Sequence, residues 1–398
     1  MASENGDTEQ LRNVLAFWML GFINNIGYVV MIAGAQEIAA GGVGLVYFFD
    51  IFPALLVKLS GPYWFHFVSY HQRVAFSGLQ SGMMEASFLA MSSFYQSPLQ
   101  CLTCWSSGTG LAGVGGYAWI AVFHLWGGLS FESTLKLAMI FPFLYALVFF
   151  MLLDKSSLPP VRTCKYVAIP EHDGMLVAVT TKDSTKNPLN SKEKELQRTT
   201  CENEASSIDI TNASMMGYKE KMKFICTLGP YIIPLTTVYC AEYTLQTGVW
   251  SAIGFPVESK QARARFYSAA GLAYQAGVFL SRSSGAFFQA TRPMLYFMPV
   301  LQIVLLGFFT LVAAVHFWYN WGLLVVCFIV GLLGGGVYVN AFTLLSTEIR
   351  PSHVELALAA VSVGDTIGVM FADCAGLLLQ GCLYSINHLP GASIHVTC

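Results

Sequence analysis

Gly322–Ser346 reads GLLVVCFIVGLLGGGVYVNAFTLLS, a run without one charged side chain. An α-helix rises about 1.5 Å per residue and the hydrocarbon core of a bilayer is roughly 30 Å thick, so a run of this length crosses it. Similar runs recur along the chain. The sequence predicts spans at 14–36, 43–67, 74–95, 108–127, 135–153, 224–246, 264–281, 294–317, 322–346 and 356–381. None shows the period-two alternation of a strand. Glycine, proline and small residues sit inside the runs, as membrane helices tolerate where neighbouring helices satisfy the backbone. Hydrophobic residues make up 55% of the 398 and charged ones only 11%, with mean hydropathy +0.56. Soluble domains carry about 25% charged residues. The fold class that follows is an all-α polytopic membrane protein of about ten transmembrane helices, with the lipid bilayer as its first partner. The formal charge of −2 gives no reason to expect a nucleic-acid partner.

The organisation has five parts: a tail at 1–13, a helix bundle at 14–153, a polar linker at 154–223, a second bundle at 224–381 and a tail at 382–398. The linker is rich in Lys, Glu, Ser, Thr and Asn without apolar periodicity, and is expected to be disordered. It holds eleven of the 21 Lys and Arg residues. Lys155, Arg162, Lys165, Lys219, Lys221 and Lys223 lie close to the flanking helices, where the positive-inside rule acts, so the linker is expected in the cytosol. The leader of the first span is acidic (Glu4, Asp7, Glu9) and its apolar core is too long for a cleaved signal peptide. A short unprocessed tail also belongs in the cytosol, yet five spans would put tail and linker on opposite sides. Either the tail is translocated, or one span of the first half is missing or re-entrant. The weakest is 74–95, with a polar middle and Glu85.

Polar residues inside apolar runs are the functional candidates. Val238–Gln246 (VYCAEYTLQ) carries Glu242 with no cation within a helical turn. A lone carboxylate in hydrocarbon costs several kcal/mol, so Glu242 faces a watery cavity or a partner helix, or stays protonated. Asn24 and Asn25 point about 100° apart, one suited to line a cavity and the other to bond between helices. Asp50 and Lys58 stand about 12 Å apart along a helix, too far to pair. Lys58 is expected to snorkel to the headgroups, leaving Asp50 as an ion or ligand contact that the fold could bring to Glu85. Trp105–Gly110 reads as the opening of a helix, where Ser106, Ser107 and Thr109 either cap it or present an anion site. Arg282, flanked by Ser281, Ser283 and Ser284, suits either a phosphate or simple anchoring at a helix end. The Gly334–Gly336 run reads as a close helix contact, since it lacks the Lys and Ser/Thr of a phosphate loop. Cys101-x-x-Cys104 stands without a partner pair, so no metal site and no cofactor is expected. His124 reads as a structural histidine, and no nucleophile–base–acid set assembles, so no enzymatic activity is expected. Tyr166-Val167-Ala168-Ile169 has the form of a tyrosine-based endosomal signal, for which the partner is a sorting adaptor.

A family resemblance emerges from blocks in both halves. They are Phe17–Asn25 (FWMLGFINN) with Tyr28–Met31, Asp50–Pro53 with Leu56–Leu59, and Trp105–Gly110, then Ala241-Glu242-Tyr243, Tyr274–Phe279, Ser281–Ser284, Gly334–Asn340 and Asp365–Gly368. Their joint order over about 11–381 resembles the battenin family of lysosomal membrane proteins. The resemblance implies eleven helices, six before a cytosolic linker and five after, in a major-facilitator-like two-bundle arrangement. Here the family's third and fourth helices look merged, with about one helix absent between Leu79 and Gln80, as in a shortened form or a ten-helix variant. The first luminal loop lacks the family's sequon. The one sequon, Asn212-Ala213-Ser214, lies in the linker, and the chain ends at Cys398 without a prenylation box. The implied function is lysosomal or late endosomal export of small polar or anionic solutes, glycerophosphodiesters first among them, by alternating access, in support of lysosomal homeostasis and pH. The alternative is a non-transporting scaffold that regulates trafficking and luminal pH. On the transport reading Glu242, Tyr243, Gln275, Asn24 and Asn340 meet the glycerol groups, and Arg282, Ser106, Ser107 and Thr109 the phosphate. Asn25, Tyr28, Asp50, Glu85, Tyr274 and Asp365 complete the pathway candidates.

Overall fold

The computed structural model describes residues 2–64, 72, 81–155, 218–396 and 398. All regular structure among them is helical. In chain order these are α1 (Ala2–Ala33), α2 (Val43–Trp64), α3 (Ser81–Ser92), α4 (Pro98–Trp119), α5 (Phe131–Ala138) and α6 (Ile140–Met151). After the linker come α7 (Tyr218–Thr227), α8 (Gly229–Thr244), α9 (Lys260–Ser283), α10 (Arg292–Val315), α11 (Leu323–Glu348) and α12 (Pro351–Ile386). Six of the described helical stretches are long and apolar enough to cross a membrane, or seven if the pair α7–α8, bent by 66°, counts as one. The remaining expected spans correspond to α3, α4 and α9. They carry more polar side chains because they pack inside the protein rather than against lipid.

Close backbone approach sets the helix pairs. A Cβ on Gly21 would strike the Trp105 carbonyl, one on Gly108 the Trp18 carbonyl and one on Gly116 the Val29 side chain, so α1 and α4 run parallel in contact. In the second half, Gly277 lies on the Phe328 carbonyl and Gly331 on that of Tyr274, which locks α9 to α11. Gly335 belongs to the same contact, against Ser281, while Gly334 brings α11 against Glu242 of α8. Between the halves, α4 and α9 meet antiparallel, with Gly113 under Gln275 and Gly271 under Tyr117. Small residues let helices approach closely where lipid supplies no hydrophobic drive.

The side on which each terminus lies follows from hydrogen bonds. Gln10 donates to Ser97 (2.7 Å), Asp154 N–H to Asn13 Oδ1 (2.9 Å) and Tyr95 to the Asp154 carbonyl (2.7 Å). The start of α1, the α3–α4 turn and the start of the linker therefore share one face. At the other face Gln380 donates to the Ala40 carbonyl (3.0 Å) and Ser393 N–H to that of Gly41 (2.7 Å). Tail and linker start thus share one face, as a missing or re-entrant span in the first half would give; the described part of α3, Ser81–Ser92, ends on that same face. The expected junction at Leu79 and Gln80 lies outside the described residues, as do the sorting signal Tyr166–Ile169, the sequon and most of the linker. A disulfide joins Cys382 to Cys398 on the face opposite the amino terminus, a pairing that the cysteine spacing had not suggested.

The glycine contacts make a paired prediction. Gly108→Leu should cost about 1–3 kcal/mol by overpacking, read as a lowered thermal midpoint in detergent. Gly27→Leu, on the partner helix α1 but with nothing within 4 Å of its Cβ, should leave the midpoint unchanged.

Candidate functional site

The centre of the site is Lys58. Its ammonium, 3% exposed, contacts Glu85 (2.8 Å) from α3, Asp365 (3.0 Å) and Thr366 (2.8 Å) from α12, and the Ser362 carbonyl (2.8 Å). The expected snorkelling is thus overturned. Two carboxylates inside the protein hold the charge more favourably than headgroups about two turns away, because α2 turns this face to α3 and α12. Glu85 also accepts from Tyr338 of α11 (2.8 Å). The Tyr338 ring lies 4.0 Å beneath the Arg282 guanidinium, a cation–π contact. Arg282 donates to Thr109 (2.7 Å) on α4 and to Tyr239 (2.8 Å) on α8. It does sit in the last turn of α9, but it reaches inward rather than anchoring at a headgroup.

These groups surround a cavity of about 70 Å³ between the two halves, room for a few waters. Asn24, Asn25, Tyr28, Glu85, Thr109, Tyr243, Arg282 and Asp365 of the expected set line it, joined by Lys58, Tyr239 and Thr366. Asn25 donates to the Thr109 carbonyl (3.1 Å). Asn25 thus makes the interhelical bond expected of one of the pair, and both asparagines also line the cavity.

Several candidates lie elsewhere. Glu242 is 1% exposed. It accepts from Tyr274 (3.0 Å), and its other oxygen lies against Gly334 without a hydrogen bond. It faces the α9 and α11 partner helices, while Tyr239 and Tyr243 of the same helix turn to the cavity. Gln275 packs under Gly113. Asn340 accepts from Ala290 N–H (2.6 Å) and donates to the Gly336 carbonyl (2.8 Å), tying down the α9–α10 loop. Asp50 and Glu85 are not brought together, since Glu85 is engaged with Lys58; one oxygen of Asp50 is buried without a partner. Trp105–Gly110 does not open a helix. α4 begins at Pro98, so these N–H groups are spent on intrahelical bonds, and Ser106–Thr109 form no N-terminal anion site. Ser107 instead bonds Ser283 across the halves (2.9 Å), while Ser106 Oγ is buried unpartnered. His124 bonds the Leu129 carbonyl locally (2.8 Å).

The profile of the CLN3 protein family matches residues 15–79 and 74–386. The chain belongs to the CLN3 protein family. The two matched segments meet at 74–79, beside the place where two family helices look merged. Protein btn1 of Aspergillus fumigatus is 30% identical over 420 residues, covering 95% of this chain and 90% of that one. Protein BTN1 of Saccharomyces cerevisiae is 27% identical, covering 92% and 93%. Among solved structures, the human organic anion transporter MFSD10 aligns with a TM-score of 0.43 at 11% identity, over 95% of this chain and 79% of that one.

In this CLN3-family chain Lys58 was misread from the sequence as snorkelling, although a lone cation in an apolar run was a signal of buried partners. A second buried charge was not singled out at all. Asp373 stands two turns beyond Asp365 on α12, fully buried with both oxygens unpartnered among the described residues. The Lys58 cluster makes a stability prediction. Lys58→Met strands two buried carboxylates and should cost about 3–5 kcal/mol. Adding Glu85→Gln and Asp365→Asn should restore most of the loss, as read by thermal unfolding of the single and triple variants.

Proposed function

We propose that this chain is a lysosomal or late endosomal transporter that exports glycerophosphodiesters, or related small anionic solutes, by alternating access. One observation carries the reading. Lys58 is matched by two carboxylates, whereas Arg282 lines the same cavity with no carboxylate in ion-pair contact among the described residues. Its Nε is buried and unpartnered. A guanidinium with an unused donor, set among hydroxyl and amide groups, is suited to a phosphodiester. Asn24, Asn25 and Tyr243 offer partners for glycerol hydroxyls.

The packing supports movement about the cavity. The α4–α9 pair meets through glycine backbone and serves as a fulcrum. To either side the halves are joined by polar pairs that water can replace: Lys58 with Asp365, and Ser107 with Ser283 toward one face, Tyr47 with Tyr267 (2.8 Å) toward the other. At about 70 Å³ the cavity has to widen to admit the solute. Formally, two cations and two carboxylates cancel within it. An anion entering this set adds a negative charge in low dielectric, and a proton taken up on Glu85 or Asp365 would offset it, so acidification should accelerate export.

The test is release of labelled glycerophosphodiester from lysosomes of CLN3-deficient cells expressing the chain. Arg282→Gln should lower release by about tenfold or more with location unchanged, the loss expected for a charge-assisted contact. Release at the unmodified rate from Arg282→Gln would falsify the assignment. Glu242→Gln, outside the cavity, should reduce protein abundance more than release per molecule, as compared by immunoblot-normalised rates.

A further inference from the structure

Beside the cavity, α1 and the α5–α6 pair part to leave a groove of about 290 Å³. Asn24 and Tyr28 line both spaces, so these two side chains are the wall between them. Beyond them the groove is apolar, bounded by Met31, Ala138, Met139 and Phe141. It exists because α5 ends at Ala138 and α6 begins at Ile140, with Met139 as the joint. Its rim faces outward: Met139 is 66% and Ile140 48% exposed. Gly27 forms its floor, and a side chain there would meet nothing. At the junction the Tyr28 hydroxyl is buried beside that of Tyr243, at the boundary between the polar cavity and the apolar slot.

An apolar groove open to lipid, ending at a polar cavity with an unmatched Arg282, has the chemistry of an amphiphile. We propose that the groove is a lateral entry and binding site for a single-chain glycerophospholipid, with the acyl chain along α1 and α6 and the phosphodiester in the Arg282 cavity. A single groove takes a single chain, which favours a mono-acyl lipid, all of whose chain it can cover. The inference deepens the transport reading and rests on it for the headgroup position. It adds the mono-acyl form of the same phosphodiester as a ligand, reached from the membrane rather than from the aqueous face.

The test uses the full chain in nanodiscs with tritiated glycerophosphocholine and with lysophosphatidylcholine carrying a diazirine on its chain. The lipid should displace the soluble probe at about one-tenth or less of the concentration that unlabelled glycerophosphocholine requires, since buried methylenes add affinity. It should also cross-link saturably to α1 and α6. Gly27→Trp and, separately, Ala138→Trp fill the groove. Each should erase that roughly tenfold advantage and the cross-link, while soluble-probe binding stays within about twofold. The proposal is overturned if the lipid displaces no better than the soluble diester, or if the advantage and cross-link survive both variants. The transport reading fails separately. Should the soluble probe not bind while the cross-link is saturable and lost in Gly27→Trp, the groove site stands and the soluble-solute reading falls. Absence of both signals overturns the two together.

Discussion

One buried ammonium organises the interior of this protein. Lys58 on α2 gathers Glu85 from α3 and Asp365 from α12, and so ties the two halves of the chain through charge. Desolvating three charges is expensive, and the cluster survives only because each member has further hydrogen bonds. Those further bonds build the site. Glu85 fixes Tyr338, Tyr338 carries the Arg282 guanidinium, and Arg282 reaches across to Thr109 and Tyr239. The polar wall of the cavity is therefore one connected network, drawn from α2, α3, α4, α8, α9, α11 and α12.

The network contrasts with the packing around it. Within each half, helices meet through glycine backbone, as where Gly108 of α4 meets α1 or Gly331 of α11 meets α9. Such contacts depend on shape and leave no alternative partner. Between the halves, hydroxyls, amides and ions that water can satisfy stand beside close packing, at the α4–α9 fulcrum and where Gly44 of α2 meets the Asp373 carbonyl of α12. Rigid halves with an exchangeable interface are what rocking motion about a central site requires.

Much of this was legible in the sequence. The apolar runs announced a helical membrane protein, and the Gly334–Gly336 run announced close helix packing. Other features were hidden for identifiable reasons. Lys58 looked like an interfacial lysine because its partners lie 27 and 307 residues away. Trp105–Gly110 looked like a helix start because the polar stretch before it resembled a loop. Pro98 at the first turn was the better signal of where α4 begins. Glu242 looked like the pathway acid because composition cannot give rotation about a helix axis. A turn of about 100° per residue separates it from the cavity-facing Tyr243.

The central claim is that the cavity beneath Arg282 opens to each face of the membrane in turn. Its most direct test is thiol labelling of Asn25→Cys, in a chain whose native free cysteines are replaced, reconstituted in proteoliposomes of defined orientation. Alternating access predicts modification by a membrane-impermeant reagent from either face, slowed on both by saturating glycerophosphodiester. Modification from one face alone, whatever the ligand and pH, would contradict it.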